Sequence, residues 1–500
     1  MASASDTAPA APDRLPREHL TVVALLIVSA FVVILNETTM GVALAPIMED
    51  LGIGPSRGQW LTTAFMLTMA IVIPMSGFLL QRLGTRRTFT MAMTLFTVGT
   101  LSAALAPTFG LLLAGRVVQA SGTAVMMPLL MTTVMSLVPP GRRGQFMGTV
   151  SLVISAAPAM GPAVSGALTS AFGWRGVFWT VLPIAAIALS VGVWKIRDVT
   201  VRKPVRLDPL SPPLAALGFG GLVYGLASLG EAAELDGAEP PLPPGVAVAV
   251  GVVFIALFVW RQLRLAGTPR VLMDVRVFGT GQFTVALSVM AVGMIALFGV
   301  IVLLPLVLQN SMGMTPVASG AVLAPGGLAM GLLGPLVGRI YDRVGPRPLV
   351  LPGVVLAIAA FLALSTLGPG SHWAAALGGH LLLSLALALL FTPLMTTALG
   401  SLPPALYSHG SATVSTMQQL VGAAGVAGFV AVLTLRETTL LDGGASAAEA
   451  LAGGAGLAFM VGAGVLLICG LLALRLRKPA PLGEEVPAPV GENTSAPAGR

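Results

Sequence analysis

The chain has 500 residues, of which 55% are apolar and only 9% charged, with 60 glycines and 38 prolines. An ordinary soluble domain carries about 25% charged residues, so water is not the main solvent of this chain. A single cysteine, Cys469, excludes an internal disulfide framework and a thiolate metal site, and the four histidines (His19, His372, His380, His409) show no ligand spacing. The net charge of +7 sits in short loops between apolar runs, which argues for membrane orientation and against nucleic acid.

Crossing the hydrocarbon core of a bilayer takes about 20 apolar residues in a helix. Runs of that order recur at 21–47, 59–80, 88–106, 109–138, 146–171 and 176–194, and a weaker pair follows at 210–229 and 246–260. Six more lie at 283–309, 316–337, 349–367, 373–399, 411–435 and 451–474, making fourteen. The first run has no small-residue cleavage site and is expected to stay as a helix. The expected fold class is therefore all-α integral membrane. Two six-helix bundles, 19–197 and 276–477, flank a linker (198–275) with two extra central helices, and the Ala/Pro/Ser-rich tails, 1–18 and 478–500, are expected to be disordered.

Loop charges test this count independently, because Lys and Arg collect in cytoplasmic loops. With both termini inside, the inner loops hold Arg82, Arg86 and Arg87; Arg142 and Arg143; Lys195, Arg197, Arg202, Lys203 and Arg206; Arg261, Arg264, Arg270 and Arg276; and Arg339, Arg343 and Arg347. The outer loops hold only Arg57, Arg175 and Arg436 among basic residues, and carry the acids Glu49, Asp50, Glu231, Glu234, Asp236, Glu239, Glu437, Asp442 and Glu449. An odd number of spans would scramble this alternation.

An internal repeat joins the second and third helices of each set. The stretch from Gly77 to Arg86 aligns without gaps on that from Gly338 to Arg347, and Gly77/Gly338, Arg82/Arg343, Gly84/Gly345 and Arg86/Arg347 coincide. Two matching halves with the same orientation imply parallel repeats and a site at their interface near the membrane midplane.

These loops resemble the Gly-x-Leu-x-Asp-Arg-x-Gly-Arg-Arg signature of major facilitator transporters. Gln81 stands where that family has Asp, whereas the second copy keeps Asp342. In the family, the aspartate and arginines latch the two halves in the outward-facing state, so the resemblance implies a latch built from Gly77, Gln81, Arg82, Gly84, Arg86, Asp342, Arg343, Gly345 and Arg347, weakened at Gln81. Arg116-Val-Val-Gln-Ala-Ser-Gly122 resembles the fourth-helix Arg-x-x-Gln-Gly-x-Gly. Pro158-Ala-Met-Gly-Pro-Ala-Val-Ser-Gly166 resembles the antiporter motif of exporters, with Pro158, Gly161, Pro162 and Gly166 in register. Asn36-Glu37-Thr38-Thr39 resembles the first-helix motif of the fourteen-helix drug:proton antiporters, in the Asn-Glu-Thr form of a lincomycin-exporter-like branch. The resemblance implies the major-facilitator fold.

Read on chemistry alone, Glu37 is the one acid placed inside a predicted core helix, and Arg116 the one base placed well inside. An intramembrane carboxylate costs several kcal/mol unless it is paired, hydrated or protonated, and such residues are functional by default. Glu37 lies about ten residues, or ~15 Å, from the end of its helix and Arg116 about 11 Å from the same face. The two are level, and the family fold makes their helices neighbours, so an ion pair or a water-bridged contact is expected, with burial opposing the charged carboxylate and the arginine supporting it. Gly161, Pro162 and Gly166 have no reactive group; they are expected to kink the fifth helix and bring it close to the C-half. Asn36, Met126, Met127, Met131, Thr416, Gln418 and Gln419 offer adaptable thioethers and neutral polar groups to a substrate.

The reading is proton-coupled efflux of small lipophilic compounds (antibiotics, drugs or dyes) across the bacterial cytoplasmic membrane by alternating access, by a monomer. The proton gradient is the energy source and no cofactor or metal is expected. A major-facilitator uptake symporter or facilitator for a nutrient is the alternative. No nucleophile with its base, no HExxH and no paired intramembrane carboxylates support an enzyme, and nothing supports nucleic acid as a partner.

Overall fold

The computed structural model describes residues 16–199, 202, 204–231 and 242–479. Both expected disordered tails, apart from their innermost residues, lie outside the described residues, as do Lys203, Glu234, Asp236 and Glu239. Among the described residues there are thirteen α-helices and no strand. They are α1 (Arg17–Leu51), α2 (Pro55–Ala104), α3 (Phe109–Leu137), α4 (Arg143–Phe172), α5 (Trp174–Lys195), α6 (Ser211–Glu231) and α7 (Pro244–Leu265), followed by α8 (Gly281–Leu306), α9 (Pro316–Val344), α10 (Arg347–Leu364), α11 (Trp373–Gly400), α12 (Tyr407–Asp442) and α13 (Ala447–Ala473).

The sequence expectation of separate helices at 59–80 and 88–106 is met by one 50-residue helix broken at Gly84, where φ is 77° and ψ 173°. Its two arms bring the rods to fourteen. The repeat-related Gly345 caps α9 with φ 79°, so in each half one glycine makes the sharp reversal that a side chain would strain. Eleven described helices, twelve with the bent α4, are long and apolar enough to cross a membrane. The protein is a multi-pass membrane protein. Several expected loop acids are helical instead: Glu49 and Asp50 lie in the last turn of α1, and Glu437 and Asp442 in the last two turns of α12. Asp50 accepts from Trp174 Nε1 at 3.0 Å and from Arg175 at 2.7 Å, pinning α1 to α5.

Helices α1 to α5 pack into one bundle and α8 to α13 into another. The α6–α7 hairpin lies on α2 and α12, against both bundles, and Tyr224 stacks on Trp60 with centroids 6.3 Å apart. Its polar base is tied down at the loop end. Asp208 accepts from Arg261 at 2.7 Å and from the Ser211 hydroxyl at 2.7 Å, while Gln262 Oε1 accepts from the Leu272 N–H at 2.9 Å. The Arg261 guanidinium holds the Asp208 carboxyl below the usual carboxylate range.

The bundles meet most closely where α4 crosses α9 at the arginine-rich end. A Cβ at Gly338 would lie 1.9 Å from the Gly144 carbonyl oxygen, and one at Gly148 2.1 Å from that of Gly334. These are backbone-on-backbone approaches that only glycine permits. Gly77 of α2, the repeat partner of Gly338, makes the corresponding but looser approach to α12, with a Cβ 3.0 Å from the Ser408 carbonyl oxygen. Replacing Gly338 with valine is therefore expected to hold the basic end open. Single cysteines near Ser151, in a Cys469→Ala background, should label faster from that side; an unchanged labelling rate would contradict the close-approach argument.

Candidate functional site

A cavity of about 70 Å³ lies between the bundles. Helix α1 turns Ala30, Val33, Ile34 and Glu37 toward it, the i, i+3, i+4, i+7 spacing of one helical face. Opposite α1, α3 contributes Thr123, Met126 and Met127, and α2 contributes Met69 and Ile73. The other bundle enters through α12 alone, with Ser415, Gln418 and Gln419. The space holds a few waters but falls short of the roughly 300 Å³ at which drug-sized pockets begin. A bulky ligand requires the halves to move apart.

Glu37 is half-buried on the cavity wall, with no cation within 4 Å among the described residues. Arg116 is 1% exposed and turned into the N-half. Its Nη1 donates to Gln119 Oε1 at 2.6 Å, Gln119 Nε2 donates to Thr100 Oγ1 at 2.8 Å, and the guanidinium lies 4.0 Å from the centroid of the Phe65 ring. Of the expected ion pair or water-bridged contact with Glu37, the direct ion pair is not made among the described residues; Arg116 bonds to Gln119 and lies over Phe65 instead.

The cavity is lined by four of the seven residues expected to touch substrate. Met126, Met127, Gln418 and Gln419 line it; among the described residues Gln418 Nε2 is buried without a partner, as is the Ser415 hydroxyl. Met131 is packed in the apolar core, Thr416 turns its hydroxyl onto the Ala412 carbonyl at 2.8 Å, and Asn36 is buried with neither amide atom partnered. None of these three lines the cavity. Ser415, Thr123, Met69 and Ile73 were not singled out from the sequence. Helical spacing from Glu37, Met127 and Gln419 reaches Ala30, Thr123 and Ser415, but nothing in the sequence fixes which face of α2 is central.

The antiporter motif packs differently from expectation. Its helix bends by 45° between Pro140–Pro158 and Ala163–Phe172. Gly161, inside the bend, abuts Thr38 of α1, where a Cβ would lie 2.2 Å from Oγ1, and Ser165 donates to the Thr39 carbonyl at 2.7 Å. Gly166 has open space around it, and Pro158 is exposed. Thus the motif grips α1 beside Glu37, while the close contact with the C-half is made lower on the same helix by Gly144 and Gly148. Pro162 lies in the bend itself.

At the basic end both latch loops cross between halves. Asp342 accepts from the backbone N–H groups of Gly144 and Gln145 at 2.8 and 3.0 Å, at the start of α4. Gln81, its repeat partner, reaches the start of α12: Nε2 donates to Ser408 Oγ at 3.2 Å and to His409 Nε2 at 2.9 Å. Gln81 therefore bridges the halves, through two side chains supplied by the other half. Arg82 and Arg343 are exposed; Arg86 and Arg347 bond within their own halves.

Residues 26–426 match the family model of the Major Facilitator Superfamily. The chain belongs to this superfamily of membrane transporters. It is 36% identical to a lincomycin resistance protein LmrB of Listeria monocytogenes over 85% of this chain and 88% of that one. To a lincomycin resistance protein LmrB of Bacillus subtilis it is 35% identical, over 82% of this chain and 84% of that one. Its fold is similar to the crystal structure of the human organic anion transporter MFSD10 (TETRAN), with a TM-score of 0.67 at 17% identity, covering 92% of this chain and all of that one.

The two latches differ in strength, since a hydrogen bond to an ionised acceptor is roughly twice as strong as a neutral one. Asp342→Asn is expected to expose the basic end more than Gln81→Ala, read by labelling single cysteines in the Cys469→Ala background; equal labelling of the two variants would remove the asymmetry. Separately, Gln119→Leu leaves Arg116 buried without its oxygen acceptor. The expected cost is about 1.5–3 kcal/mol, and an unshifted thermal unfolding midpoint would show that Gln119 does not support Arg116.

Proposed function

We propose that this transporter exports small lipophilic compounds, antibiotics among them, from the bacterial cytoplasm in exchange for protons. The observation that carries the reading is Glu37, a carboxyl group on the wall of a cavity that both halves line. The relatives named for lincomycin resistance support the substrate class. In this reading the arginine-rich end faces the cytoplasm, both termini lie inside, the membrane is the cytoplasmic one, the monomer is the working unit, and the proton gradient is the only energy source.

The residues divide the work. Glu37 holds the proton, and its protonation removes the charge that Arg116 attracts, changing the stability of the arrangement around α1. The methionines of α2 and α3 conform to an irregular apolar ligand, and Gln418, Gln419 and Ser415 supply the few polar contacts that orient it. Opening and closing at the two ends exposes the cavity alternately. The segment after Glu37 is held by the bent α4, so a change at α1 is passed to the α4–α9 crossing that shuts the basic end.

Glu37→Gln keeps the shape and removes the titratable group. In proteoliposomes with an imposed pH gradient, uphill export of a lincosamide or a lipophilic dye should fall to background while downhill exchange persists. Undiminished uphill export by this variant would remove Glu37 from the coupling. Inward movement of substrate driven with the protons, by the unaltered protein, would favour the symport alternative.

A further inference from the structure

The two repeat arginines meet the last helix of their own half in the same way. Arg86 Nη2 donates to the Val193 carbonyl in the last turn of α5 at 2.8 Å, and Arg347 Nη2 to the Leu474 carbonyl just after α13 at 2.6 Å. Each thereby walls a cleft at the basic end, of about 470 Å³ beside Arg86 and about 420 Å³ beside Arg347.

The N-half cleft contains its own anion. Asp198 Oδ1 accepts from the Arg86 N–H at 2.9 Å, its Oδ2 pairs with Arg202, and a Cβ at Gly84 would meet this carboxylate. In the C-half the repeat-related Gly345 approaches Lys478 instead, and Lys478 spends its ammonium on the Asp342 carbonyl at 2.8 Å. The C-half cleft thus gathers Arg347, Arg475 and Arg477 with no carboxylate among its lining residues. None of the three has an ion pair among the described residues. Their placement is fixed: Gln282 Nε2 donates to the Arg475 carbonyl at 3.2 Å, and the Arg477 N–H donates to Gln282 Oε1 at 2.7 Å.

We propose that the Arg347–Arg475–Arg477 cleft binds the phosphoryl group of an anionic lipid headgroup, which takes the place that Asp198 fills in the other half. Guanidinium forks match phosphate oxygens. Basic pockets between membrane helices are suited to such headgroups. The cleft opens where α8 and α10 begin and α13 ends, at the ends of helices of membrane length, and Val285 gives it an apolar wall. Leu467, Ile468, Leu471 and Leu474 continue outward-facing along α13 and offer a track for an acyl chain. The inference rests on the proposed orientation only in assigning the lipid to the cytoplasmic leaflet.

The test needs no transported substrate, so its failure leaves the export reading standing. Purified full-length protein is titrated with phosphatidylglycerol, with phosphatidylethanolamine, and with inorganic phosphate, and binding is followed by native mass spectrometry and by thermal unfolding. Phosphatidylglycerol should bind and raise the unfolding temperature. The Arg475→Gln/Arg477→Gln variant should bind it roughly 30-fold more weakly, about fivefold per arginine, while unfolding as the unaltered protein does in phosphatidylethanolamine. Asp198→Ala, which removes the carboxylate from the N-half cleft, should add a second phosphatidylglycerol site, a gain that misfolding does not mimic. Equal phosphatidylglycerol binding by the double arginine variant overturns the proposal. Protection by inorganic phosphate without protection by phosphatidylglycerol overturns the lipid assignment.

Discussion

The backbone contact of α4 on α9 is the constraint on which the remaining geometry depends. Gly144 and Gly148 face Gly334 and Gly338 at distances that leave no room for a Cβ, so at this end the two bundles approach as closely as helices can. Such a contact is held by dispersion and by shape, with no strong directional bond of its own. It can form and separate without stranding a buried charge. Asp342 adds direction by accepting two N–H groups at the first turn of α4, where an acid is also favoured by the helix dipole. Contact and cap together decide whether the basic end is shut.

The same helix explains how the shut end is connected to the acid in the cavity. Below its bend α4 makes the close contact with α9; at the bend Gly161, and above it Ser165, are fastened to Thr38 and Thr39, the two residues that follow Glu37. The bend separates these two attachments on one continuous element. A proline-containing bend leaves backbone groups less constrained than a straight helix and is a natural hinge. Arg116 completes the arrangement from the other side. It is almost wholly buried, its Nε lacks a partner, and its stabilisation comes from Gln119 and the face of Phe65. A cation over an aromatic ring away from water contributes about 2 kcal/mol, which offsets part of the cost of burying it.

Much of this was legible in the sequence because it depends on residue type at fixed spacing. Apolar runs of membrane length gave the rods, loop arginines gave their alternation, and the repeat from Gly77 and Gly338 marked two equivalent loops, which the structure turns at Gly84 and Gly345. Glu37 and Arg116 stood out as charges where charge is costly. What could not be read was rotation and partner choice. Asn36 is next to Glu37 in sequence yet about 100° around the helix, so it faces the interior of the N-half instead of the cavity. Met131 and Thr416 miss the cavity for the same reason. The role of Gly161 was misjudged because a small residue announces a close approach without naming the neighbour, and here the neighbour was α1.

Gln81 shows how a departure from a motif can be absorbed by its partner. In repeat register Gln81 matches Asp342, and Ser408 and His409 at the start of α12 match Gly144 and Gln145 at the start of α4. The C-half latch joins a carboxylate to backbone N–H groups; the N-half latch joins an amide to two side chains. An amide cannot reproduce a charged cap on a helix start, but it can donate to an imidazole nitrogen and a hydroxyl, which glycine and glutamine at the matching positions of α4 do not arrange. The exchange of Asp for Gln is therefore coupled to what α12 presents. It also leaves α12 held by neutral hydrogen bonds and α4 by charge-assisted ones. On separation of the halves, the Gln81 side should yield first and the Asp342 side last, so that the basic end opens by pivoting on the α4–α9 edge and not by both edges parting together.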